Sequence, residues 1–264
     1  HLFVFSDREE VFSLTLEEDQ AILAASVNEA GWLTVVTQQS GFKGVVTVYD
    51  ASYNEVMGVS LSSRFVMDAV LSPNSKAVAI LTMGAEENAF DSRVDIYQLD
   101  HSEENADADY ACSLGSTTVL DLRWDEDGIW ALGENAVARM DSQGTLLGSY
   151  DYAGRYLKAF SLDGNGTAAL LLGKYRAGST AQLIVTDEQG QEWAVLPIEE
   201  QVLSLSAAGR YIALLTADRL DIYDQDLELY HTMEGTQGTR RVIQRADGSV
   251  MLIGSDTARL YLPE

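Results

Sequence analysis

Val46-Thr47-Val48-Tyr49-Asp50 alternates outward and inward side chains and closes on an aromatic and an acid. The chain says it again as Val94-Asp95-Ile96-Tyr97-Gln98, Leu183-Ile184-Val185-Thr186-Asp187 and Leu220-Asp221-Ile222-Tyr223-Asp224. A period of two over β-favouring residues marks a strand with one face partly open. Upstream of these copies stand near-continuous apolar runs at residues 32–36, 78–81, 168–172 and 211–215, with further runs at 129–132 and 250–253. Runs without polar interruption require burial on both faces. Each run follows a turn: Asn28-Glu29-Ala30-Gly31, Ser72-Pro73-Asn74-Ser75, Asp125-Glu126-Asp127-Gly128, Ser161-Leu162-Asp163-Gly164, Ser206-Ala207-Ala208-Gly209 and Arg245-Ala246-Asp247-Gly248. Glycine supplies positive φ there, and Asp or Asn bonds its own turn backbone, so these are hairpin connections.

The turns recur at intervals of 44, 53, 36, 45 and 39 residues. A beat of about 44 residues carrying four strands is that of a propeller blade, a unit that cannot bury its own faces alone. Residues 1–264 therefore read as one all-β domain, a β-propeller of four-stranded antiparallel blades with no helix. Counting 2–6 and 259–262 as third strands gives 25 strands in all. The chain opens on a third-plus-fourth pair and ends on a third strand, the phase of a seven-bladed ring whose parent is longer; six blades with one surplus strand is the alternative. The start at His1-Leu2-Phe3 rather than at a Met reads the same way. The acidic stretch from Asp100 to Asp109 is expected to lengthen one loop between third and fourth strands and to account for the 53-residue interval.

With 17 basic and 41 acidic residues the formal charge is −24. A field of that sign repels a nucleic-acid duplex and an anionic lipid surface, so neither is an expected partner. Cys112 is the single cysteine, so no intrachain disulfide forms. No apolar run approaches the roughly 18 residues of a membrane span, and this segment is not expected to insert into a bilayer.

Three stretches carry a resemblance. Phe5-Ser6-Asp7-Arg8-Glu9-Glu10-Val11-Phe12-Ser13-Leu14, the segment from Gly41-Phe42-Lys43 to Tyr49-Asp50, and Ser62-Ser63-Arg64-Phe65-Val66-Met67-Asp68-Ala69-Val70-Leu71-Ser72-Pro73 resemble an uncharacterised bacterial propeller family. It belongs to Gram-positive anaerobes and is described only as a domain of unknown function; more broadly it is similar to WD40-like and quinoprotein-like propellers. The resemblance implies an amino-terminal membrane helix and further strands ahead of His1, hence an extracytoplasmic propeller tethered to the cell membrane. It supplies no catalytic residues. The regular Gly-His/Trp-Asp pairing of WD40 blades is missing, as is the tryptophan-docking signature of quinoprotein blades, so no quinone or other cofactor is expected.

The chemistry-bearing residues are sparse. His1, His101 and His231 have no His or Cys partner at ligand spacing, so no metal site is expected. No nucleophile elbow, phosphate-cradling loop or dinucleotide fingerprint occurs. Asp125-Glu126-Asp127-Gly128 and Asp163-Gly164-Asn165-Gly166 stop short of a calcium loop and read as turns. Tyr49, Tyr97, Tyr223 and Tyr230 recur near blade turns, and Arg64 and Phe65 lie in a connection; these are residue types favoured at hot spots, although blade packing explains the recurrence first. The favoured site is the channel mouth, where the first strands begin with Asp68, Asp121, Lys158 and Arg241, with Arg240 beside the last. Charges near a tight core need partners or water, so they form either a mutually neutralising ring or a polar pocket. The expected function is a non-catalytic interaction platform for a protein, peptide, cell-wall or glycan ligand. The alternatives are a hydrolase or lyase using mouth carboxylates, and a structural subunit of an envelope assembly.

Overall fold

The computed structural model describes residues 1–6, 8–86, 89–100 and 107–263, the side chain of Glu86 aside. All regular structure among them is β, in seven sheets met in chain order. The first pairs β1 (Leu2–Ser6) with β2 (Glu9–Leu14). The second runs β3 (Ala21–Val27), β4 (Leu33–Gln38), β5 (Gly44–Tyr49), β6 (Glu55–Leu61). The third runs β7 (Phe65–Leu71), β8 (Ala77–Glu86), β9 (Ala89–Gln98), β10 (Tyr110–Ser113). The fourth runs β11 (Val119–Asp125), β12 (Gly128–Gly133), β13 (Ala136–Met140), β14 (Leu146–Asp151). The fifth runs β15 (Tyr156–Ser161), β16 (Ala168–Gly173), β17 (Ala181–Thr186), β18 (Glu192–Ile198). The sixth runs β19 (Ser204–Ala208), β20 (Tyr211–Leu215), β21 (Arg219–Tyr223), β22 (Leu229–Glu234). The seventh holds three strands, β23 (Arg241–Gln244), β24 (Val250–Ile253) and β25 (Ala258–Tyr261). The 25 strands and their phase are those expected, and seven sheets favour the seven-blade count over six.

The chain forms two compact units, residues 1–133 with 140–146, and residues 134–139 with 147–264. In the first, Val36, Val46, Val48 and Val59 of the second sheet pack against Val66, Leu71, Val78 and Ile80 of the third. In the second, β20 explains why its sequence is apolar throughout. Ile212 and Leu214 join Leu171, Leu183 and Val185 of the fifth sheet, while Ala213 and Leu215 turn the other way onto Val242, Val250 and Leu252 of the seventh. Each such Val, Leu or Ile removed from water contributes about 1.5–3 kcal/mol, and a strand sandwiched in this way collects it from both faces.

The third strands hold a surprise beneath their alternation. Asp95 and Asp221 are 1% and 4% exposed. Both sit in the same local sequence, Arg93-Val94-Asp95-Ile96-Tyr97 and Arg219-Leu220-Asp221-Ile222-Tyr223, and both are answered by the arginine two residues earlier on the same face of the strand. Arg93 Nε lies 2.7 Å from Asp95 Oδ1 and Arg219 Nε 2.8 Å from Asp221 Oδ2. Thr82 and Thr232 hydroxyls donate to the remaining oxygens at 3.2 and 2.8 Å. A buried carboxylate without such partners would cost several kcal/mol.

One turn recurs between third and fourth strands. The Oδ1 atoms of Asp50, Asp141, Asp187 and Asp224 each accept from the backbone N–H groups two and four residues on, at 2.8–3.1 Å. The residue three positions after each Asp has positive φ: Tyr53, Gly144, Gly190 and Leu227. Each turn lies on the last strand of the preceding sheet. The Tyr53 ring stacks on Phe12 of β2 at 5.0 Å, and Asp226 accepts from the Trp193 indole of β18 at 2.7 Å. Where the approach is closest, only glycine fits. A Cβ on Gly190 would stand 2.4 Å from the Ser149 carbonyl oxygen, and one on Gly144 would stand 3.2 Å from the backbone of Ala111. Elsewhere a tyrosine or leucine accepts left-handed backbone and fills the gap.

Two details differ from the sequence reading. The 53-residue interval is not due to the acidic stretch alone, because β8 and β9 are ten residues each and project as a long hairpin. Residues 101–106 of that stretch lie outside the described residues, while Asp109 accepts from the Gln98 N–H at 2.7 Å. The turn after β15 is also longer than expected. Its left-handed residue is Gly166 rather than Gly164, which instead bridges Gly209 of the next turn.

Candidate binding face on the first strands

The first strand of every repeat is an edge strand of its sheet. Within the first unit β3, β7 and β11 stand side by side, and within the second β15, β19 and β23 do. Four of these six carry a bulge at the same place: between Ile22 and Ala24, Val66 and Asp68, Val119 and Asp121, and Leu157 and Ala159. The extra residue is left unpaired and the strand bends. In the first unit this pushes Leu23, Met67 and Leu120 into solvent at 46%, 41% and 56% exposure. The residues just past the bulge, Ala24, Asp68, Asp121 and Ala159, resume pairing with Val36, Leu81, Leu132 and Leu171.

Asp68 and Asp121 thus occupy the same register position on neighbouring strands. The Asp68 carboxylate accepts from its own neighbour's Ala69 N–H at 2.8 Å and from the Leu122 N–H of β11. It ties one sheet to the next. Burial pushes its carboxyl above the usual range, and the two N–H donors offset part of that. Asp121 is likewise engaged in an interaction.

In the second unit Lys158 is not the counterpart of Asp68. It is the bulged residue itself, one place earlier, because the bulge shifts the register. Its Nζ donates to the Gly178 carbonyl and its stem crosses Gly173. The partner is a carbonyl oxygen, not a carboxylate. Arg241 opens β23 opposite Ile253, and the Arg240 N–H donates to the same Ile253 carbonyl at 2.8 Å. Both arginines are exposed, and neither guanidinium has a hydrogen bond or ion pair among the described residues. β19 lies between Lys158 and the arginines, so the structure brings the two aspartates onto adjacent strands and leaves the cations of the second unit on non-adjacent ones.

Of the remaining candidates Tyr49, Tyr97, Tyr223 and Arg64 resolve into packing, whereas Phe65 and Tyr230 are exposed. Tyr97 is 4% exposed and burial pushes its phenol up to about 12. Tyr49 and Tyr223 are half-buried, and Tyr230 leans on Tyr211 at 5.2 Å. Arg64 is largely covered rather than solvent-facing: it packs on the long hairpin, 2.9 Å from Asp91 and hydrogen-bonded to Thr82. Phe65 beside it is exposed, with Lys43 Nζ 4.7 Å above the ring. His231 bonds the Tyr261 hydroxyl, and His101 lies outside the described residues. Among the described residues no three His, Cys, Asp or Glu side chains converge on a metal-sized site.

The opposite ends of β3, β7 and β11 hold a feature that sequence reasoning missed. A cleft of 260 Å³ opens there, lined by Val27, Glu29, Pro73, Arg123, Trp124 and Glu126 among others. A second of 520 Å³ lies across Pro73, Trp124 and Glu126 and reaches Lys76, Gln98 and Ser142. The signal in the sequence is the large residue at the end of each of these first strands, Val27 and Trp124 among them. Val27 is in fact 56% exposed and Trp124 only half-buried.

Within each unit the first strands of successive sheets stand side by side, and four-stranded antiparallel sheets repeated in this way are the blades of a β-propeller. Solved WD40 propellers superpose on the chain. Hsv2 of Kluyveromyces marxianus matches with a TM-score of 0.62 at 12% identity, over 91% of this chain and 72% of that one. Hsv2p of Kluyveromyces lactis gives 0.61 at 12%, over 91% and 74%. The C-terminal WD40 domain of Sif2 gives 0.54 at 8%, over 97% and 85%. No curated protein sequence matches. Residues 1–259 match the family of unknown function DUF5711, and the chain belongs to that family.

Proposed function

We propose that this propeller is a non-catalytic, extracytoplasmic interaction platform. It is held at the bacterial cell membrane by a segment outside residues 1–264 and recognises a protein, peptide or envelope ligand with the rim of its first strands. The observation that carries the reading is the repeated bulge, which sets exposed Leu23, Met67 and Leu120 next to Asp68 and Asp121 on adjacent strands of a rigid scaffold. Apolar anchors beside carboxylates on an unyielding frame are what a recognition surface needs, because little ordering entropy is lost on binding. The WD40 neighbours support an interaction scaffold at the level of fold. Asp68 and Asp121 on the first unit are the favoured contacts of this reading, and Lys158, Arg240 and Arg241 are proposed as separate contacts on the second.

A cross-linked pull-down of the full-length protein from its native cells tests this, run beside an Asp121→Ala/Arg241→Ala variant whose melting matches wild type. The expected result is a specific partner captured by wild type and lost by the variant. Capture of none by either overturns the reading. A hydrolase or lyase using rim carboxylates is the second reading, favoured by Asp68 and Asp121 at the same register position on adjacent strands. It requires turnover that Asp68→Asn abolishes.

A further inference from the structure

We propose that the cleft at the turn end of β3, β7 and β11 is a second site, one that takes the cationic side chain of an arginine- or lysine-bearing peptide. It lies at the other end of the strands from Asp68 and Asp121, and it stands whether or not that rim binds a partner.

The lining has three properties that together select an organic cation. An indole, Trp124, is half-buried in the wall and lines both clefts. Two carboxylates come from different turns on either side: Glu29 from the turn after β3 and Glu126 from the turn after β11. Both are exposed, and neither makes a hydrogen bond or ion pair among the described residues. The nearby Asp125 has Oδ1 committed to the N–H groups of Asp127 and Gly128, and Arg123, the cation lining the 260 Å³ cleft among the described residues, is already engaged. A cation over an aromatic face gains from the ring quadrupole, and a guanidinium gains further from carboxylates it can bridge. A hydrated metal ion would gain little from the indole, and a neutral apolar group would leave both carboxylates idle.

The site is also preformed. Asn28 Nδ2 donates to the Ser72 carbonyl at 3.1 Å and to Ser75 Oγ at 2.8 Å, lacing the turn that carries Glu29 to the turn that carries Pro73. Preorganised walls spare a ligand the cost of ordering them. The occupant is a peptide rather than a free amine because the second cleft continues the first across Pro73 and Trp124. There Lys76, Gln98 and Ser142 offer a polar berth for a neighbouring residue, and Lys76 disfavours a second cation. The charge of −24 draws such a ligand in.

The test follows the indole N–H resonances of protein labelled with ¹⁵N-tryptophan, four in number, with Trp124→Phe assigning the relevant one. The probe is acetyl-Gly-Ser-Arg-Ser-Gly-amide, compared with its citrulline counterpart, which keeps the shape and drops the charge. The expected result is a saturable shift of the Trp124 resonance with the arginine peptide. Binding should weaken roughly tenfold or more with citrulline, and by a similar factor in a Glu29→Gln/Glu126→Gln variant, since each change removes charge-assisted contacts. No saturable shift, an equal shift with citrulline, or indifference to the double substitution overturns the proposal. The two glutamates are exposed, so their replacement leaves the fold intact, and the Asp121→Ala/Arg241→Ala variant is expected to bind the probe as wild type does.

Discussion

A carboxylate at position 68 is held where the chain leaves it little water. Its two backbone donors do not fully replace that water, so its proton is bound more tightly in the folded chain than at the ordinary value of 3.8. The sign follows from linkage. The folded form holds more protons than the unfolded one in the window just above 3.8, so this group's contribution favours folding below that window and is lost as pH rises through the raised value. Asp68→Asn removes the penalty while keeping an oxygen to accept from Ala69 and Leu122. Its melting temperature should equal or exceed wild type near neutral pH and lose that advantage at about pH 3.5; melting curves across the range check this, and a variant less stable at every pH counts against the account. Asp68 and Asp121 were legible in the sequence as charges at strand starts. Lys158 was assigned to the same position because a bulge leaves no mark in composition, and a one-residue shift moves a side chain to a different role. Arg64 was misread for a related reason: a lone arginine in a connection looks solvent-bound until the partner that covers it, Asp91 on a hairpin 27 residues away, is in view.

The four Asp turns show how far an element's sequence can be read in isolation. The refrain strands that end at Asp50, Asp187 and Asp224 were legible in the sequence. What the turns touch was not, because the last strand of a preceding sheet lies far upstream and nothing in the turn names it. That contact sets a graded expectation for glycine replacement. Gly190, Gly144 and Gly41 all have positive φ, but a Cβ would meet Ser149 at 2.4 Å, Ala111 at 3.2 Å and nothing within 4 Å, respectively. Replacing any of them by alanine costs about 1 kcal/mol for the left-handed backbone alone. Gly190→Ala should add about 1–3 kcal/mol of backbone displacement, Gly144→Ala less, and Gly41→Ala nothing. Urea melts of the three variants give the ranking, and equal losses would remove the steric part of the argument.

For the whole molecule the governing quantity is the excess of acid. Forty-one carboxylates against 17 basic side chains repel one another more in the compact state than in the unfolded chain, and salt screens that repulsion. Raising the ionic strength from about 0.01 M to about 0.15 M shortens the screening length from roughly 30 Å to roughly 8 Å. The melting temperature should rise over that range and level off above it; a flat or falling trend would mean that local pairs such as Arg219–Asp221 outweigh the net charge. The turn that settles on its predecessor's outer strand also has a bearing on synthesis. In a chain emerging from the ribosome, Trp193 is made 33 residues before the Asp226 that clasps its indole, so the blade carrying Trp193 trails an unfastened flank until then. At ordinary elongation speeds that flank stays open for on the order of seconds. Assembly in the cell is therefore ratchet-like at these turns, each of the four blades that carry one fastening the blade before it.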